Sequence, residues 1–462
     1  MAIEDDVLVI GGGLAGATAA LAAADRDVCV RLVTFKQSTL RHASGLIDVL
    51  GYASGVNGPL VDPFDAIADL PDSHPYRRVG EETIRDALAF FDRIAGPAYE
   101  GGHTDTNALV PTHGGTVKPT ARYPASTAAG LASDPRDMLL VGFETLADFD
   151  APLAAAHLDA AGVPFEARGV TLSFPGIRRD DAKITRYSNL LDREETVETG
   201  TGSATAREAL AEAIRPHLAD ESRVGFPAIL GDEHADEVRA DLAAAIGADV
   251  FEVPMGPPSL PGMRLDDLLY AALEDASVRV TAGVPVIDYQ TNGTGADRID
   301  RVIVDRNGTE IPHRAEQYVL ATGGLVGKGI RSDRSVESGS RDDDVRTDGV
   351  EPADAGGSAA TERSGVVFEP IFDCYVPHAP DRYDWFVDDA FGEHPYARFG
   401  LPADRELRPL DADDEPEFEN LRAAGAVLGG YDYAAEKSGA GVSLATGYAA
   451  GRRAGDEVGY RP

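Results

Sequence analysis

The sequence predicts an α/β protein built on a parallel sheet that a second α/β segment interrupts. Three observations predict it. An apolar run, a glycine turn and a small-residue helix open the chain; strand and helix patterns alternate between Met138 and Val253; and a strand ending in Ala321-Thr322-Gly323-Gly324 is followed by a strand, a glycine turn and a helix at the C-terminus.

Val7 to Ile10 are an unbroken apolar run, as in a strand buried on both faces, and Ala15 to Ala24 have helix composition. Between them Gly11, Gly13 and Gly16 satisfy G-x-G-x-x-G in its required context. Gly11 takes the turn, Gly13 lets backbone approach a phosphate, and Gly16 allows close helix–strand contact. The phosphate then sits on the helix N-terminus, where free N–H groups and the helix dipole favour negative charge. A dinucleotide site offers an acid to the adenosine ribose roughly 20 residues further on. Here the second strand, Val28 to Val33, runs instead into Thr34-Phe35-Lys36. Either an adenosine is held differently or the ligand has none.

The polar loop Thr34 to Asp48 returns from the same sheet edge, where ligands of open α/β sheets bind, so it is expected to lie over the ligand. A turn-rich stretch follows, with His74-Pro75-Tyr76 near its end. Ile84, Leu88 and Phe91 then mark a helix from Glu81 to Ile94. In the second α/β region the pattern gives strands at Met138 to Phe143, Val163 to Ala167, Val224 to Leu230 and Val250 to Val253. Helices fall at Pro152 to Ala161, Thr205 to Leu218 and Ala235 to Ile246. Its regularity inside the first fold marks an inserted substrate or cap domain. The expected division is 1–75, 76–256 and 257–462.

Met263 to Glu274 resume helical spacing, and Val278 to Ala321 read as strands with hairpin turns at Asn292-Gly293 and Asn307-Gly308. The two N-x-T matches are read as these turns, not as glycan sites. Ser332 to Glu362 and Asp411 to Glu417 are acidic and poor in apolar residues, hence solvated loops. Ala423 to Gly451 give a strand, a turn bearing Gly430 and Asp432, and a helix opened by Gly439-Ala440-Gly441. So many glycines suggest a second helix N-terminus offered to a ligand rather than packing alone.

Asp+Glu 78 against Lys+Arg 42 gives a net charge of −36, with arginine supplying nearly all the positive charge. Such a balance suits a salt-rich cytosol, where screening relieves self-repulsion, and excludes nucleic acid as a partner. Cys29 and Cys374 are the only cysteines, too few for a disulfide framework or a cysteine-ligated cluster, so any iron–sulfur centre belongs to a partner. No metal ligand set is expected. Met1 to Asp6 lack a basic leader, and no stretch approaches the roughly 20 apolar residues of a membrane span, which implies a cytosolic or peripheral chain.

The motifs G-G-G-L-A-G (Gly11 to Gly16), Q-S-T-L-R-H-A-S-G (Gln37 to Gly45), H-P-Y (His74 to Tyr76), R-Y-S-N-L-L-D (Arg186 to Asp192), P-P-S-L-P-G-M-R-L (Pro257 to Leu265) and A-V-L-G-G-Y-D (Ala426 to Asp432) occur in this order. With them the chain resembles flavoproteins of the fumarate reductase class and, more specifically, B subunits of anaerobic glycerol-3-phosphate dehydrogenases. The resemblance runs nearly end to end. It implies a Rossmann-like flavin-binding domain, a parallel sheet plus β-meander, interrupted by the cap domain. It implies FMN, with FAD as the alternative, and oxidation of sn-glycerol 3-phosphate to dihydroxyacetone phosphate. It also implies two partners, an FAD-bearing subunit and a membrane-associated iron–sulfur subunit that passes electrons to quinone, placing the chain on the cytoplasmic face of the membrane through its partner.

Flavin contacts are then expected from Gly11, Gly13 and Gly16; from Gln37, Ser38, Ser44 and Gly45 on the loop; from Thr322, Gly323 and Gly324; and from Gly430, Asp432, Gly439, Ala440 and Gly441. The last helix would direct its dipole at the flavin pyrimidine, and Asp432 would bond the ribityl or phosphate region or else cap a turn. His42 is the candidate general base, its ordinary pKa near 6.5 suiting the task. Arg178, Arg179, Lys183 and Arg186 form the densest basic cluster. The first two are read as pairing with Asp180 and Asp181; Arg186 and Arg264 are the candidates to grip a phosphate. Two other readings remain: a non-catalytic relay or interaction subunit, and a fumarate-reductase-like enzyme acting on a carboxylate.

Overall fold

The computed structural model describes residues 2–36, 38–178, 182–200, 202–292, 298–333 and 364–459. Gln37, Arg179, Asp180, Asp181, Gly293 and all of the acidic stretch beyond Asp333 as far as Glu362 lie outside them.

A five-stranded parallel sheet carries the N-terminal turn. Its strands run in the order Arg279–Ala282, Val30–Thr34, Val7–Ile10, Gln317–Leu320 and Leu421–Ala423. The central strand Val7–Ile10 is buried along its whole length, as its unbroken apolar run requires. At the opposite edge from the glycine turn, Asp5 pairs with Arg31 and Arg279 at 2.6 and 2.7 Å and ties neighbouring strand starts together. A second sheet of four strands includes the hairpin of Ile299–Arg306 with Thr309–Arg314, turned at Asn307-Gly308 with both residues at positive φ. Buried Asn420 joins the two sheets by donating to Ile299 O and Glu316 O and accepting from Ile299 N.

A third sheet, also parallel, intervenes in the chain: Asp249–Val253, Arg223–Pro227, Met138–Phe143 and Ala167–Leu172. The last of these begins where the expected strand Val163 to Ala167 ends. Gly162, at φ +77°, closes the preceding helix, and buried Phe165 sits in the turn rather than in a strand. The expected helix Thr205 to Leu218 opens with a capping box formed by Thr205 and Glu208 and passes after Ile214 into a tighter 3-10 turn, Arg215–His217, that contains Pro216. Helix Glu81–Ala95 falls beyond the expected boundary at residue 76, yet its Ile84, Leu88 and Phe91 join the apolar core of the first sheet. That core and the core of residues 139–260 are separate clusters.

The C-terminal helix Gly439–Gly459 packs on the first helix, Leu14–Ala24. A Cβ on Gly447 would stand 2.4 Å from Ala15 O and one on Gly451 2.1 Å from Ala19 O. Packing therefore accounts for these two of the region's glycines, which are not among those expected to contact a ligand. Among the described residues no helix is long and apolar enough to cross a membrane.

Candidate functional site

The glycine turn is built as its spacing demands. Gly11 has φ +117°, and a Cβ there would lie 2.2 Å from Ala321 O; a Cβ on Gly16 would lie 1.8 Å from Gly11 O. Gly13 differs: a Cβ there would meet nothing within 4 Å. It precedes helix Leu14–Ala24 as an N-cap that supplies no side-chain acceptor. Open space thus stands over a bare helix N-terminus. Thr322, whose backbone lies against Gly11, has a buried hydroxyl with no hydrogen-bond partner. An orphaned donor, an unfilled space and an uncapped helix end at one sheet edge fit a phosphate-bearing group. No acid follows the second strand: Thr34 Oγ1 donates to Lys36 O, Phe35 is exposed, and Tyr270 OH donates to Gly12 O.

The loop after this strand folds onto the helix Leu260–Asp275. Ser38 Oγ accepts from Leu40 N and caps the turn Thr39–His42. Arg41 pairs with Asp266 and Asp267 at 3.0 and 2.9 Å, although burial still holds the Asp266 carboxyl above its ordinary pKa. Gly45 packs on Pro261, and a Cβ on Gly262 would lie 2.4 Å from Leu40 O. The stretches Ser38 to Gly45 and Pro257 to Leu265, from two of the motifs, therefore meet in space. His42 is exposed, while Ser44 accepts weakly from Leu46 N at 3.4 Å. Tyr99 OH donates to Gly45 O at 2.7 Å, a contact that no motif in the sequence signals.

H-P-Y and the C-terminal glycine turn form a second such contact. His74 is buried; its Nδ1 accepts from Tyr76 N, which leaves Nε2 to donate to Glu436 at 3.1 Å. Ser438 Oγ also donates to Glu436, and Gly430, at φ +87°, packs on Ser73 O. Asp432 accepts from Ala434 N and Ala435 N, so its side chain caps the turn Tyr433–Glu436. The next helix end is closed by the chain itself: Ala440 N donates to Asp48 Oδ1 and Gly441 N to Asp48 O, while Lys118 pairs with Asp48 at 3.0 Å. The expected open N-terminus at Gly439 to Gly441 is thus capped by a residue not singled out in the sequence. Its one signal was a carboxylate ending the loop over the site.

The two candidate arginines go to different places. Arg186 makes a two-pronged pair with Glu195 at 3.0 and 3.1 Å on the surface. Arg264 lines a cleft of ≈ 570 Å³ with Tyr99, Ser126 and His234. Its guanidinium grips buried Glu252 at 2.6 and 3.0 Å and donates to Gly231 O. Burial is the strongest influence on Glu252 and would raise its pKa, but the Arg264 charge together with hydrogen bonds from Arg264 and Leu230 N holds the carboxyl below its ordinary value. Asp232, Glu233, Asp236, Glu237 and Asp267 complete a mainly acidic wall.

This combination of fold, glycine turn and open phosphate cradle defines a flavoprotein: the family described as FAD binding domain matches residues 6–442. Two curated relatives narrow the class. One, from Halobacterium salinarum, is called the probable B subunit of an anaerobic glycerol-3-phosphate dehydrogenase and is 58% identical over 458 residues, covering 99% of each chain. Another, from Yersinia pestis, carries the corresponding name and is 28% identical over 458 residues, covering 95% of each chain. The chain belongs to the family of anaerobic glycerol-3-phosphate dehydrogenase B subunits. A solved 3-ketosteroid Δ1-dehydrogenase from Sterolibacterium denitrificans has a TM-score of 0.42 at 13% identity, covering 99% of each chain. The cofactor is a flavin, and the family match favours FAD over the FMN expected from the resemblance.

Proposed function

We propose that this chain is the flavin-containing subunit of a quinone-linked glycerol-3-phosphate dehydrogenase complex. The complex oxidises sn-glycerol 3-phosphate to dihydroxyacetone phosphate and passes electrons through an iron–sulfur subunit to quinone at the cytoplasmic membrane face. The observation that carries the reading is the open space over Gly13 at an uncapped helix end, in a chain 58% identical to a relative of that name. Backbone N–H groups of the first helical turn would hold the flavin phosphate. The flavin, when bound, supplies the hydride acceptor. His42 would take the hydroxyl proton. Arg264 would hold the substrate phosphate at the cleft, provided it turns from Glu252.

That last condition favours a second reading. Arg41, Arg186 and Arg264 are each paired with carboxylates, and the cleft wall is mainly acidic. A phosphate dianion finds little uncompensated positive charge there. The chain would then relay electrons while another subunit oxidises the alcohol. A carboxylate substrate meets the same obstacle.

The deciding experiment is to purify the chain in high salt, identify the released flavin and add glycerol 3-phosphate without oxygen. Bleaching of the flavin absorbance is expected of a catalytic subunit. Flavin that stays oxidised in the isolated chain but is reduced in the assembled complex assigns either the relay role or a substrate site that the partner subunit completes. A folded chain with no flavin overturns both.

A further inference from the structure

Between Asp381 and Phe399 the chain folds with one side inward and one outward. Trp385 is the inward anchor: it is buried against Phe399, and its Nε1 donates to Ala379 O at 2.7 Å. The outward side presents Tyr383, Phe386, Phe391 and Tyr396, with Phe391 99% exposed. The Phe386 and Tyr396 rings lie 5.1 Å apart, and His394 stacks on Tyr396 at 5.5 Å. Val387 N donates to His394 Nδ1 and Phe391 N to Asp389 Oδ1, so the backbone presenting the rings is itself tied down. In a chain carrying a net charge of −36, such a cluster of exposed rings is a built surface rather than scatter. It also adjoins the glycine edge of the sheet: Gly430 N donates to Arg398 O at 3.0 Å, and Gly324, two residues after Thr322, packs on Ala426 O.

We propose that this face docks the electron-accepting subunit of the complex, through an apolar patch on that partner rimmed by arginine or lysine. The inference rests on the complex proposed above. Exposed Asp384, Asp388 and Asp389 lie in the same segment as the rings, and with Glu393 already paired to Arg398 they leave it a net negative charge, which selects a basic rim. A second copy of this chain would set like charge against like. In the complex proposed above a flavin held at this edge would pass its electrons to that subunit, and a surface beside the C-terminal glycine turn is where the subunit would approach.

The test is to co-purify the full chain with the iron–sulfur subunit from the same source in high salt, as wild type, as Phe386→Ser/Phe391→Ser and as Val61→Ser. Val61 is 72% exposed and outside the patch. The wild type and Val61→Ser are expected to bind alike. The double variant, with unchanged flavin content and unfolding transition, is expected to bind about tenfold more weakly or worse, as for lost aromatic anchors. Binding equal to wild type overturns the inference. So does a wild-type homodimer, seen by light scattering, that the double substitution dissolves. Failure of the wild type to bind removes the docking assignment alone if the flavin still bleaches with glycerol 3-phosphate.

Discussion

Gly13 and Gly16 stand in one turn and should fail for different reasons when a methyl group is added. At Gly16 the new Cβ would lie 1.8 Å from Gly11 O, a clash with backbone that only a shift of helix against strand relieves. Gly16→Ala is expected to cost about 3 kcal/mol or more in the flavin-free protein, the upper range for overpacking. At Gly13 the backbone is extended, φ −81° and ψ −173°, and the space is open. Gly13→Ala should therefore change flavin-free stability by no more than about 1 kcal/mol, the range for an N-cap exchange, yet release the flavin. Urea unfolding and flavin content after gel filtration separate the two. A fully flavinated Gly13→Ala protein would show that no phosphate approaches that residue. This turn was legible in the sequence because its geometry is local. The ion pairs were not: Arg41 meets Asp266, and Lys118 meets Asp48, only after distant segments fold together.

At the scale of elements, the C-terminal helix is held by its start and by its glycine face. Asp48 contributes a side-chain acceptor to Ala440 N, a backbone acceptor to Gly441 N and a charge partner to Lys118. Asp48→Ala removes the first and third, so a loss of about 1–2 kcal/mol is expected from the cap and the helix-end charge. Asp48→Asn keeps an acceptor and should lose less. Both are measured by urea unfolding at fixed salt, and an Asp48→Ala protein as stable as wild type would return this helix end to the ligand. Periodicity and caps located many elements well. Met138–Phe143 and Ala235–Ile246 have the ends their residues predict. Where it failed, tertiary contact overrode local pattern: Val163 to Ala167 look like a strand, but the strand starts only at Ala167 and Phe165 is buried in the bend before it. The helix opening Gly439 to Gly441 looks like a ligand site, yet Asp48 caps it from a distant loop.

Across the whole molecule the excess of carboxylates sets how stability responds to salt. Many of the acidic side chains are exposed, and their mutual repulsion is long-ranged when the Debye length is about 10 Å, near 0.1 M salt, and short-ranged near 1 M, when it is about 3 Å. The pairs that organise the site are less accessible to screening, Glu252 having a fully buried side chain beside Arg264. Salt should therefore remove more repulsion than attraction. The urea midpoint is expected to rise steeply with KCl up to about 1 M and then level. Urea is the denaturant to use, because guanidinium would itself screen. A steady rise with no levelling would point instead to strengthened apolar burial, which continues with salt concentration. A flat response would mean that the carboxylates are already compensated by their arginine partners. The same screening weakens the acidic rim around Phe386 and Phe391 while leaving their apolar contact, so docking at high salt should rest on the rings.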